Sequence, residues 1–83
     1  MKKDGKAPTL DLHGYKMEDV FDAVERFITR HTNARVVRIM PGKGTGKVKS
    51  EVTRYLKLAG YHWHFERSER GQVNEGVMIV HME

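Results

Sequence analysis

Twice in the first sixty residues, a short strand-like run leads through glycine into a segment with apolar residues at every third or fourth position. Thr9 to Leu12 alternates, and Gly14 ends it. Met17, Val20, Phe21, Val24, Ile28 and His31 then predict an amphipathic helix over 16–31, closed by Asn33. Arg35 to Met40 is rich in β-branched residues and predicts a strand, stopped by Pro41, which has no ladder N–H. Residues 42–46 read Gly-Lys-Gly-Thr-Gly, a loop. Val48, Val52, Tyr55, Leu56 and Ala59 predict a second helix, with Gly60 placed to take the left-handed position after it.

The remainder carries no helical period. Tyr61 to Glu66 alternates, with Tyr61, Trp63 and Phe65 on one side and His62, His64 and Glu66 on the other. Ser68 to Glu75 reads as a polar loop and Gly76 to Met82 as a final strand. The order is therefore β-α-β-α-β-β. Crossovers between parallel strands are right-handed, so a strand order running one way across the sheet puts both helices on one face. The alternation in 61–66 agrees, because a sheet covered on both sides reads as continuously apolar. The prediction is a two-layer α/β sandwich: a mixed four-stranded sheet, both helices on one face, and a closing antiparallel hairpin.

A chain of 83 residues has room for one core, here assigned to residues 9–83 behind a polar leader, 1–8, expected to be mobile. No run of about 18 apolar residues exists, which excludes a membrane-spanning helix. The periodic apolar blocks argue against a disordered chain. With no cysteine there is neither a disulfide framework nor a thiolate metal site. Met1 to Lys6 has no apolar segment behind it of the kind a signal peptide needs, so a cytoplasmic protein without a membrane partner is expected.

Charge is unevenly placed. The chain carries +4, but residues 35–60 hold seven Lys and Arg (Arg35, Arg38, Lys43, Lys47, Lys49, Arg54, Lys57) against Glu51 alone. Such a segment is either a solvated helix face or the footprint of a polyanion.

Two motifs carry candidate chemistry. In Leu10-Asp11-Leu12-His13-Gly14, residues two apart share a side, so Asp11 and His13 lie together while Leu10 and Leu12 face the core. They sit at the carboxyl end of a strand, where open α/β sheets bind ligands. A histidine can exchange a proton near neutrality, and the aspartate can hold it or orient a substrate hydroxyl. The competing reading is an ordinary polar strand end, with Asp11 supporting the turn.

The second motif, Pro41-Gly42-Lys43-Gly44-Thr45-Gly46-Lys47, also joins a strand to a helix. Its glycines let the backbone turn N–H groups towards an anion, and the helix N-terminus adds its dipole. Lys43, Lys47 and Lys49 supply charge. It is not a nucleotide loop: Val48 follows Gly46-Lys47 where a Walker loop needs Ser or Thr, and Lys47 replaces the third glycine of the dinucleotide fingerprint. The competing reading is a plain glycine turn. If the first two strands are parallel, both motifs meet at one sheet edge, a combination suited to a phosphodiester. His62, His64 and His81 can share the polar sheet face, but they match no zinc pattern, and no metal site is expected. Tyr61, Trp63 and Phe65 are assigned to the core rather than to base stacking.

Leu10-Asp11-Leu12-His13-Gly14, the Gly42 to Gly46 loop, and the Gly76-Val77-Met78-Ile79-Val80 strand, with the helices between them, together resemble the Smr (small MutS-related) domain over residues 9–83. The resemblance implies a fold similar to the C-terminal domain of translation initiation factor three. It also implies nucleic-acid binding and, as in several members, endonuclease action on DNA or RNA. Some members are short bacterial proteins that cut messenger RNA on stalled or collided ribosomes, which makes the ribosome an implied partner. The family's first motif maps onto Asp11, His13 and Gly14, and its second, His/Thr-Gly-x-Gly, onto Pro41, Gly42, Lys43 and Gly44. Pro41 departs from it, having no side-chain or backbone donor. If that position contacts the scissile phosphate, this chain is slow or only binds; if the glycine N–H groups and Lys43 do the work, the change matters little.

The expected function is therefore an Smr-type endonuclease cleaving phosphodiester bonds in RNA or nicking DNA. Asp11 and His13 are its catalytic residues; Gly14, Gly42, Lys43, Gly44, Thr45, Gly46, Lys47 and Lys49 bind substrate. RNA cleavage through the neighbouring 2′-hydroxyl needs no cofactor, whereas DNA nicking by water calls for a divalent ion such as magnesium. The alternative is a non-catalytic nucleic-acid or ribosome-binding module.

Overall fold

Leu12, Val37, Ile39, Met78 and Val80 come from two strands and a strand exit, yet they share one buried cluster with Val20, Val24 and Ile28 of one helix and Val52 and Leu56 of the other. The computed structural model describes residues 7–42 and 46–82. The elements are β1 (Thr9–Asp11), α1 (Met17–Arg30), β2 (Val36–Met40), α2 (Lys47–Ala59), β3 (His62–Arg67) and β4 (Val73–His81). The sheet order is β1-β2-β4-β3, with β1 parallel to β2 and β4 antiparallel to both β2 and β3. Both crossovers, β1-α1-β2 and β2-α2-β3, advance across the sheet in the same direction, so both helices cover one face. Phe21 of α1 meets Tyr55 of α2 edge to face, ring centroids 5.2 Å apart. The mixed four-stranded sheet with two helices is the architecture the periodicity predicts. Among the described residues no helix is long and apolar enough to cross a membrane.

Local signals explain the boundaries. Gly60 adopts φ +82°, its N–H donates to Lys57, and the Tyr61 N–H reaches back to the Leu56 carbonyl, which terminates α2. The alternation of β3 places Trp63 and Phe65 opposite Val80 and Met78 on the core side, leaving His62 and His64 on the open side. Register adds Asp11, Arg38, Met40, Val77, Ile79 and His81 to that open face. There Arg38 spans the sheet, its Nη1 donating to Thr9 Oγ1 at 3.3 Å and its Nη2 pairing with Glu66 at 3.0 Å.

One boundary departs from the sequence reading. The loop expected over Ser68–Glu75 is shorter, because β4 begins at Val73. Ser68 closes the turn: its N–H donates to the Gln72 carbonyl, and its hydroxyl accepts from the Arg70 and Gln72 N–H groups. Pairing then continues past a register irregularity between Phe65 and Glu66. Val73, Asn74 and Glu75 are all exposed, so this stretch has no core side and lacks an apolar alternation although it is strand.

Candidate functional site

β1 ends on Asp11, and the chain leaves the sheet in a tight turn. The Leu12 N–H donates to the Met40 carbonyl at 2.9 Å, tying the exit of β1 to the end of β2. Asp11 Oδ1 accepts from the His13 N–H at 2.9 Å, an Asx turn. Gly14 follows at φ +88°, and the Tyr15 N–H returns to the Leu12 carbonyl. Leu12 is buried beneath this turn, while Asp11 and His13 are exposed. His13 thus sits in the turn beyond the strand rather than on it, and Asp11 fixes it through the main chain.

The second motif arrives alongside. Pro41 is buried. Gly42 takes φ +86°, and a Cβ placed on it would lie 3.9 Å from the His13 Cα, so the two backbones run in contact. Asp11, His13, Met40 and Gly42 line a cleft of about 430 Å³, completed by Asn74, Gly76 and Val77 of β4. Across Gly42 lies a smaller hollow of about 180 Å³, lined by Met17, Pro41, Gly42, Gly46, Lys47, Val48 and Lys49. Gly46 caps α2 in the left-handed conformation, and the first turn of α2 contains no acidic residue. No acidic side chain in the first turn of α2 itself therefore offsets the positive end of the helix dipole.

The structure thus brings together Asp11, His13 and Gly42, with Gly46, Lys47 and Lys49 on the far side of Gly42. Gly14 shapes the turn and is not among the residues lining either hollow. Lys43, Gly44 and Thr45 lie outside the described residues, as do residues 1–6 of the leader.

The basic segment is partly neutralised within the fold. Arg38 is paired with Glu66, and Lys49 Nζ lies 3.8 Å from Glu75 and 4.9 Å over the Phe65 ring. Arg54 makes a two-pronged contact with Glu51, at 2.7 and 3.2 Å. The hydrogen bond from Arg54 holds the Glu51 carboxyl below its usual range.

Asn74 and Gly76 were not visible as site residues in the sequence. Asn74 Oδ1 accepts from the Gly76 N–H at 3.0 Å, a second Asx turn on the lining of the same cleft. The spacing Asn74-x-Gly76 is the signal that could have found it. Asp11 is the one carboxylate among the described residues of the cleft, and no group of three or more His, Cys, Asp or Glu side chains among the described residues is arranged to hold a metal. These residues do not form a cage for magnesium, which takes six oxygen ligands in near-octahedral geometry.

The Smr domain family model matches residues 10–83. Among curated proteins, the endonuclease MutS2 of Levilactobacillus brevis is 35% identical over 79 residues, covering 93% of this chain and 10% of that protein. The endonuclease MutS2 of Pediococcus pentosaceus gives the same identity and coverage. That of Streptococcus pyogenes serotype M1 is 32% identical over 83 residues, 95% of this chain and 11% of that protein. The chain spans about a tenth of the length of the curated relatives it matches.

Proposed function

The chain belongs to the Smr domain family, and from that premise we propose that it is an endonuclease domain that cuts a nucleic-acid phosphodiester in the cleft between Asp11, His13 and Gly42. The observation carrying this reading is the contact between the two motifs: the His13 backbone lies against Gly42 beside the Asp11 carboxylate.

In this reading His13 is the proton-transfer group, exposed to the cleft and held by a turn that Asp11 braces. With RNA, His13 takes the proton of the ribose 2′-hydroxyl as that oxygen attacks the adjacent phosphorus. The bond to the 5′-oxygen of the next nucleotide breaks, leaving a 2′,3′-cyclic phosphate, and the departing oxygen takes a proton from water. Charge developing on the phosphoryl oxygens is met by the glycine-loop backbone from Gly42 and by Lys43, the next residue in the sequence. RNA is the preferred substrate because the cleft offers one carboxylate and no protein-held metal set among its described residues. The partner is RNA, on or off a ribosome, in the cytoplasm.

The binding-module reading is favoured by Pro41, which is buried and has no donor where the family pattern has a hydrogen-bonding side chain. Incubation with single-stranded RNA and with supercoiled DNA, each with and without chelator, separates the two. Chelator-resistant RNA cleavage is expected; binding without cleavage of either substrate in any metal would establish the module instead.

A further inference from the structure

We propose that Asn74 is a substrate-binding residue of this cleft and that its side-chain amide holds a phosphoryl oxygen of the bound strand. The proposal rests on the cleft being where the strand binds, and it adds a contact that neither motif supplies.

The orientation of the amide follows from its neighbour. Gly76 N–H can only donate, so the atom facing it at 3.0 Å must be Oδ1, and Nδ2 lies on the opposite side. The described residues give Nδ2 one partner, Glu66 Oε1, at 3.4 Å, the long limit for such a bond. Glu66 is committed elsewhere, its Oε2 lying 3.0 Å from Arg38 Nη2. One N–H of Asn74 is therefore weakly held, and no bond to a described residue uses the other.

The cleft has few other donors. Among its described lining residues, only His13 and Asn74 have side-chain N–H groups. His13 is occupied by proton transfer in the proposed mechanism. A phosphodiester entering between the two Asx turns meets an acceptor-only carboxylate at Asp11 and needs a neutral or cationic donor opposite it. Asn74 lines the same cleft, near the start of β4, with its amide oriented by the bond from the Gly76 N–H. A Cβ on Gly76 would lie 3.2 Å from Asn74 Oδ1, so glycine at 76 leaves the room that this turn needs.

Asn74→Asp tests the assignment, because aspartate keeps the oxygen that accepts from Gly76 and replaces the amide donors with a charge that repels phosphate. The probe is a short single-stranded RNA with methylated 2′-hydroxyls, which binds without being cut. Affinity should fall about tenfold or more, the scale of losing a hydrogen bond to a charged group, while Tm holds. Because the introduced carboxylate would also face Glu66, Glu66→Gln/Asn74→Asp is compared with Glu66→Gln, where the same fall is expected. Unchanged affinity in that pair, or no binding of the probe by the unaltered protein, overturns the proposal. Cleavage of unmodified RNA by the unaltered protein is scored separately, so failure of the endonuclease reading is distinguishable from failure of the Asn74 contact.

Discussion

The Asp11 carboxylate accepts the backbone N–H of His13 at 2.9 Å and so braces the turn that presents the imidazole. Spacing alone allowed Asp11 either to support the turn or to act on the ring or substrate. The geometry shows the first contact directly, and its consequence is a split between two substitutions. Asp11→Asn keeps an oxygen for the His13 N–H and should leave Tm nearly unchanged and the cleavage rate within a few-fold of the original. Asp11→Ala leaves that N–H without its partner, should cost about 1 kcal/mol, and should lower cleavage further. Equal loss in both variants, read by thermal melts and single-turnover cleavage, would instead assign the effect to the charge.

Gly42 carries φ +86° against the His13 backbone. Gly42→Ala should destabilise by about 1–2 kcal/mol through the left-handed conformation alone, since a Cβ at 3.9 Å is an ordinary contact. Denaturant melts measure it. A loss of activity at unchanged stability would show that the Cβ obstructs the cleft instead.

Leu56 and Leu58 sit two residues apart on α2 with opposite surroundings, 0% and 69% exposed. Leu56→Ala should cost about 2–5 kcal/mol, by lost transfer energy and the cavity left behind. Leu58→Ala should stay within about 0.5 kcal/mol. Chemical unfolding of both variants checks the helix phase directly.

Nucleic-acid binding should weaken with salt, by about 0.7–0.9 in log–log slope for each phosphate contact. Of the seven basic residues in 35–60, Arg38, Lys49 and Arg54 face carboxylates within the fold, and each must leave its partner to meet a phosphate. The slope from this segment should therefore fall short of the roughly −5 to −6 that seven contacts would give. Lys43→Glu and Lys47→Glu should each weaken binding to all sequences alike. Binding indifferent to salt would remove the phosphate reading.

Much of this was legible in the chain. The two switches from strand to helical period fixed the element order, and Gly60 fixed the end of α2. The Asp11–His13 spacing was enough to bring these two residues together on paper, because the strand end and turn that join them are local. The start of β4 was not legible, since Val73, Asn74 and Glu75 are all exposed and show no alternation. Asn74 was hidden for a different reason: only the antiparallel return of β4 beside β2 carries it to the cleft. Nor does a count of charges reveal that Arg38 and Arg54 are occupied, because pairing depends on register and helix phase.

The central claim is that His13 transfers a proton during phosphodiester cleavage. The most direct measurement is single-turnover cleavage of single-stranded RNA by the unaltered protein and by His13→Ala, with affinity and Tm recorded alongside. Because His13 is exposed, folding and binding should persist while the rate falls about 10²–10⁴-fold, the loss expected for a general acid–base group. Equal rates for the two proteins, or no cleavage by either, would contradict the account.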